Sequence, residues 1–236
     1  MFTVINKKKK FEEVLDQIKK LLITKKLKIG QKLPNEIELS ESMGISRSSL
    51  REAFKVLSVL GIIEGKSGEG TIIKQADPEN LKNIMSLVAI SKGLNTNELF
   101  EVRTILEMGA VKFTAERRNE TDLQRIETIL KEMDQLSYED EEEQAKYDFL
   151  FHQSIVSASQ NKMLQILVEV ISDLLGEQIK TTRSELSRSP EILKRFQEEH
   201  WLIYKAIVKK DSGEAQRVIS SHLTRAQADI IQKKIE

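Results

Sequence analysis

The sequence predicts a mainly α-helical chain in two parts, interrupted by one small β-hairpin. Three observations carry this expectation. Only three prolines and ten glycines punctuate 236 residues. Most windows repeat apolar residues at three- and four-residue spacing, the period of one helix face. One stretch, GIIEGKSGEGTII, breaks that rule with two β-branched runs, Ile62-Ile63 and Thr71-Ile72-Ile73, around a glycine-rich turn, which reads as a hairpin.

The elements follow in order. After Lys7 to Lys10, the segment FEEVLDQIKKLL is amphipathic and reads as a first helix. In EIELSESMGISRSSLREAFKVLSVLG, Leu39 and Met43 close a short second helix, Gly44 permits a tight turn, and Ser46 caps a third. That third helix turns Leu50, Phe54 and Leu57 inward, while Arg47 and Arg51 share an outer face. After the hairpin, Asp77 as N-cap and Pro78 at the first helical position start a new helix, and the domain boundary is placed near residue 76. Beyond it the spacing predicts helices at roughly 79–92, 96–118, 121–137, 141–159, 162–182 and 190–234, the last broken near Asp211-Ser212-Gly213. The acidic run from Glu139 to Glu143 suits a helix start.

Composition narrows the function classes. The chain has no cysteine, which excludes disulfides and thiolate metal sites. Any metal must be held by nitrogen and oxygen. No apolar run reaches the roughly 18 residues of a membrane span, so a cytoplasmic protein without membrane partners is expected. The zero net charge conceals a split: residues 1–76 carry 15 Lys+Arg against 9 Asp+Glu, and the remainder carries 22 against 28. A basic front on an acidic body suggests that only the front meets a polyanion.

Helix, helix, turn, helix and hairpin in about 75 residues is the plan of a winged helix-turn-helix. Two guanidiniums and three serines crowd the start of the third helix, where hydroxyls and amides hold phosphates and arginine reads guanine edges. A serine-capped helix with two outward arginines is by itself more often a solvated surface; the ordered set of elements makes double-stranded operator DNA the expected partner. A two-fold operator requires a homodimer.

The three histidines pose a separate question. Asp148 and His152 in DFLFH are four residues apart, about 400° of rotation, and so share one face with Phe151 and Ile155. His200 lies on the stripe Phe196, Ile203, Ile207, and His222 on the stripe Ala215, Ile219, Ala226. A single inward histidine is most simply a buried, hydrogen-bonded imidazole. Burying three beside an aspartate carries a desolvation cost that a shared cation would remove. Asp148, His152, His200 and His222 are therefore the candidate ligands of one divalent transition metal, zinc foremost, with nickel, manganese or iron also fitting nitrogen and oxygen donors.

These motifs resemble known ones. The Gly-x-x-Leu-Pro lead-in at Gly30, the Ser-Arg-x-x-Leu-Arg-Glu-Ala helix from Ser46, the Leu-x-x-x-Gly-Ile-Ile exit from Leu57 and the Gly-x-Gly-Thr wing from Gly68 resemble the GntR family of bacterial transcription regulators. The resemblance implies DNA contacts at Ser46, Arg47, Ser48, Ser49, Arg51 and Gly68, with backing from Lys66. Relatives usually carry an arginine where this chain has Ile37, so their operator does not transfer. From Pro78 onward, NELFEVRTILEMGAVKFTAER, DFLFHQSIVSASQN and EEHWLIYKAIVKKDSGEAQRVISSHL look like the FCD ligand-binding domain of the FadR branch. That resemblance implies an antiparallel helical bundle, a metal on the Asp and three His, and a small carboxylate effector completing its coordination. Arg103 is the residue expected to pair with the carboxylate, its alternative being an ion pair with a neighbouring helix. Asn161 reads as a helix N-cap and not a ligand.

The resemblance further implies a ligand-responsive regulator, usually a repressor released by an organic acid. Three rivals remain. A metal-dependent hydrolase would need a general base, and the sequence offers no further Glu or His assignable to that role beside the ligands. A helical interaction module would use its histidines as a buried polar network. A nonspecific nucleoid binder would not distinguish an operator from random DNA.

Overall fold

The computed structural model describes residues 9–66, 70–137, 139–187 and 189–235, with side chains described for these except 66, 177–187 and 233–235. Its elements are α1 (Lys10–Ile23), α2 (Glu36–Met43), α3 (Arg47–Val59), β1 (Ile63–Lys66), β2 (Gly70–Ile73), α4 (Pro78–Lys92), α5 (Thr96–Arg117), α6 (Glu120–Met133), α7 (Glu141–Ala158), α8 (Lys162–Ser187), α9 (Pro190–Val208) and α10 (Ser212–Ile235). The chain forms two compact units, Met1–Ile84 and Met85–Glu236. The division falls inside α4, just beyond the boundary near residue 76 that the hairpin suggests.

In the first unit, the turn between α2 and α3 is set by Gly44, whose φ of 62° lies in the left-handed region that a Cβ disfavours. Ser46 caps α3 by accepting the Ser49 N–H at 3.2 Å. Leu50, Ala53, Phe54 and Leu57 then turn inward and pack with Val14 and Ile18 of α1 and with Ile63 and Ile73 of the hairpin. The strands pair antiparallel, Ile63 opposite Ile73 and Lys66 opposite Gly70. A third stretch, unforeseen from the sequence, lies on β2: Gly30 N–H donates to Ile73 O and Leu33 N–H to Thr71 O, both at 2.8 Å, while Ile73 N–H donates to Gln31 O at 2.9 Å. It is too short to show a strand period, which is why pattern reading passes over it.

The second unit is a helical bundle with α5 packed against α7, α8 and α10, and α6 against α7 and α9. Its core joins Val111 of α5, Ile126 and Leu130 of α6, Phe151 and Ile155 of α7, Ile203 and Ile207 of α9, and Ile219 and Leu223 of α10. The helix starts follow the expected caps. Asp77 Oδ1 accepts the Glu79 N–H at 3.0 Å and Asn161 Oδ1 accepts from Met163 and Leu164; at the expected break, Asp211 Oδ1 accepts from Glu214 at 2.9 Å. Two ends depart from expectation. Helix α6 stops at Met133, short of 137: Gln197 Nε2 on α9 donates to the Met133 carbonyl at 3.1 Å, Trp201 Nε1 to Asp134 Oδ2 at 2.9 Å, and the Ser137 N–H goes to Asp140 Oδ2 at 2.8 Å instead of back along the helix. Helix α8 continues to Ser187, past 182, since no glycine or proline intervenes before Pro190.

Candidate metal centre and nucleic-acid interface

Three helices converge on one point of the second unit. Helix α7 brings Asp148 and His152, one turn apart on a face anchored by the fully buried Phe151 and Ile155. Helix α9 brings His200, one turn before Ile203, and α10 brings His222, one turn after Ile219. All three imidazoles are buried, and the Phe151 ring packs against His200 with centroids 4.4 Å apart.

The donor atoms face one another. His200 Nε2 lies 3.2 Å from His222 Nε2 and 3.4 Å from Asp148 Oδ1, and His152 Nε2 lies 3.8 Å from the same oxygen. One donor atom from each of the four residues falls within 4.8 Å of every other. An ion with bonds of about 2.1 Å holds ligands up to about 4.2 Å apart, so the four would draw in only slightly. Burial holds the His222 pKa below 6.5 against the pull of Glu199, and a neutral imidazole is the form that ligates metal. The site therefore fits a cation accepting nitrogen and oxygen donors.

Two carboxylates absent from the sequence expectation complete the surroundings. Glu107 of α5, with no exposed surface, accepts from Arg103 Nε on Oε1 at 2.5 Å and faces His152 Nδ1 with Oε2 at 2.5 Å. Glu199 of α9 accepts from Arg225 Nη1 on Oε1 at 2.5 Å and faces His222 Nδ1 with Oε2 at 2.8 Å. Burial alone would raise the Glu107 pKa; His152 and Arg103 outweigh it and hold the group at about 2. Burial likewise opposes ionisation of Glu199, and its bonds from His222 and Arg225 bring the net shift down. Arg103 is thus paired within its own helix with Glu107, and the charge of Asp148 on the neighbouring α7 adds to its hold.

Arg103, Asp148 and the three histidines line one cavity with about 70 Å³ of room for the centres of water-sized molecules. Phe100, Met133, Leu136, Phe196 and Ile230 supply apolar walls. Burial, which would lower the Arg103 pKa, is outweighed by Glu107 and Asp148, and the guanidinium stays charged. The arrangement suits a small molecule with one anionic end beside a cation.

In the first unit, the predicted DNA-contacting residues gather at the start of α3. Ser46 Oγ lies 2.9 Å from both Ser48 Oγ and Ser49 Oγ, and Ser46, Arg47, Ser48 and Arg51 are exposed. No acidic residue occupies the first turn of α3, whereas Glu12 and Glu13 do so in α1 and Glu36 and Glu38 in α2. The positive helix end is left available to a phosphate. Arg51 Nε is held by Glu36 Oε2 at 2.7 Å, and the neighbouring Ile37 is exposed. Gly68 and the Lys66 side chain lie outside the described residues.

A helix-turn-helix head with a hairpin, joined in one chain to a helical body with a buried cluster of four possible metal donors, is the build of a DNA-binding transcription regulator. Residues 10–73 match the bacterial regulatory proteins of the gntR family, and residues 98–225 match the FCD domain. The chain belongs to the GntR family and carries the FCD domain of its FadR subfamily. It is similar to the HTH-type transcriptional regulator LutR of Bacillus subtilis (strain 168), 37% identical over 202 residues covering 85% of this chain and 92% of that one. The Glc operon transcriptional activator of Escherichia coli (strain K12) is 28% identical over 229 residues, covering 95% and 90%. Among solved structures, Streptococcus agalactiae GntR matches with a TM-score of 0.67 and 26% identity, over 92% of this chain and 99% of that one. Among the described residues no helix is long and apolar enough to cross a membrane.

Proposed function

We propose that this regulator acts as a homodimer on a two-fold operator and responds to a small carboxylate bound at a metal held by Asp148, His152, His200 and His222. Residues 1–76 would form the DNA-reading head and residues 77–236 the metal-binding, effector-binding and dimerising body. The observation that carries the proposal is the closeness of four nitrogen and oxygen donors in one cavity wall with the buried cation of Arg103. Zinc is the favoured ion, and nickel, manganese or iron suit the same donors.

When bound, the metal supplies a Lewis-acidic position for a carboxylate oxygen. Arg103, already oriented by Glu107, would offer its guanidinium to the same carboxylate, and the apolar walls would limit the ligand's size. Ser46, Arg47, Ser48, Ser49 and Arg51 would contact DNA at the start of α3, with Gly68 and Lys66 contributing from the wing. The carboxylate switches the protein only by favouring one of two conformational states. The proposal covers regulation of either sign, since a relative is named as an activator.

The hydrolase reading loses its general base, because both carboxylates beside the histidines are already engaged by an imidazole and an arginine. The test is metal analysis of untagged protein, followed by operator binding with and without a panel of two- to six-carbon carboxylates. One metal per chain and a carboxylate-dependent change in operator affinity are expected. Metal-free protein whose operator binding ignores the entire panel would refute the proposal.

A further inference from the structure

The two glutamates beside the site share one wiring scheme. In each, one carboxylate oxygen accepts from an arginine and the other faces the Nδ1 of a histidine: Arg103, Glu107 and His152 form one chain, Arg225, Glu199 and His222 the other. An ionised carboxylate only accepts hydrogen bonds. The imidazole nitrogen facing it must therefore carry a proton. With Nδ1–H fixed in this way, the lone pair of each neutral ring sits on Nε2, the nitrogen directed toward Asp148 in His152 and toward His200 in His222.

We propose that Glu107 and Glu199 are positioning residues that hold His152 and His222 in the Nδ1–H tautomer, and that Glu107 couples the metal to the carboxylate subsite through Arg103. This rests on the metal reading given above and adds residues to it. The two arginine partners differ in place. Arg103 lines the cavity and is buried, whereas the Arg225 side chain is 56% exposed. Only the Glu107 chain therefore joins the metal's histidine to a cation that a carboxylate ligand would touch. A ligand that draws Arg103 toward itself changes the hold of Glu107 on His152, and by linkage the metal changes the ligand's affinity equally.

Glutamine is the informative substitution, since it keeps the shape but has one acceptor oxygen in place of two. In E107Q that oxygen goes to Arg103, which can only donate, so the amide N–H faces His152 Nδ1 and favours the Nε2–H tautomer, which removes the lone pair from the metal side. Three measurements test the proposal. Nitrogen-15 NMR of the metal-free wild-type protein should show His152 and His222 as Nδ1–H tautomers, with His152 changing in E107Q and His222 in E199Q. Zinc affinity, read by competition with a chromophoric chelator, should fall about 10- to 100-fold in each variant and stay unchanged in the exposed control E101Q. Acetate, used as the carboxylate probe, should shift zinc affinity in the wild type and E199Q but not in E107Q.

Nε2–H tautomers in the wild type, or full zinc affinity in folded E107Q and E199Q, would overturn the positioning role. An acetate effect that persists in E107Q would overturn the coupling. If wild-type protein bound no zinc or any other divalent ion, the metal reading itself would fall and the coupling with it, while the tautomers would still report on the two glutamates. E199Q and the wild-type spectra keep the positioning role testable should E107Q not fold.

Discussion

The Nε2 atoms of His200 and His222 face each other at 3.2 Å across α9 and α10. Two imidazole lone pairs repel at that separation, so in the absence of a cation one of the rings must place a proton between them. A divalent ion resolves this by accepting both. Replacing His200 with alanine should reduce bound metal to less than a tenth per chain and abolish the metal-dependent rise in melting temperature. Elemental analysis with thermal unfolding in the presence and absence of a chelator checks both. One metal per H200A chain would show that the ligand set is wrong.

The head offers a second prediction. Arg47 and Arg51 are exposed on α3, so R47A and R51A should leave its folding intact. Each should weaken operator binding by about 1–3 kcal/mol, roughly 5- to 150-fold, if the arginine reads a base. Fluorescence anisotropy at fixed salt measures it, and unchanged affinity in both variants would remove α3 as the reading helix.

Glu36 predicts an effect of opposite sign. It holds Arg51 at 2.7 Å in an exposed pair, and such pairs contribute about 0–1 kcal/mol. E36Q releases the guanidinium and removes a negative charge beside it. Binding to random duplex should tighten, by up to about five-fold on that scale, with a steeper salt dependence. Weaker binding would mean that Glu36 is needed to aim Arg51.

Acid should destabilise the metal-free body in two stages. Burial keeps the His222 pKa below 6.5, so the unfolded chain takes that proton first and stability falls as pH drops below 6.5. Glu107 sits at about 2 against an ordinary 4.5, so its contribution is complete above 4.5 and is lost as pH falls toward 2. Urea unfolding across pH 2.5 to 8 should show both stages, and E107Q should have a smaller lower one, the part left coming from Glu199. A wild type and E107Q with parallel acid limbs would refute this assignment.

What the sequence made readable and what it hid divide along physical lines. Asp148 with His152, and His200 and His222 on their stripes, were readable because helix period alone decides which residues share a face. Caps at Ser46, Asp77 and Asn161 were readable because their donors lie two or three residues away. Glu107 and Glu199 escaped because their partners come from other helices, 45 and 23 residues off. A signal did exist for Glu107. It lies four residues after Arg103 on the inward face that holds Phe100, Ala110 and Thr114, where a charge is costly unless paired. Glu199 carried no such mark, because adjacency to His200 sets it about 100° from the inward stripe. The end of α6 was hidden for a related reason, since Leu136 prolongs the apolar period, whereas Gln197 and Trp201 of α9 take the Met133 carbonyl and the Asp134 carboxylate and Asp140 takes the Ser137 N–H.

The histidine rings are closed to solvent, whereas the Asp148 side chain keeps 18% of its surface open. An ion arriving at the proposed site would then shed its water in stages, with the carboxylate as its first protein partner and the imidazoles after it. Departure would retrace that path. If the proposed metal binds, the doorway at Asp148 would give the site a kinetic character of its own: chelators would strip the ion at a rate set by this partly open carboxylate, however tightly the nitrogens behind it hold.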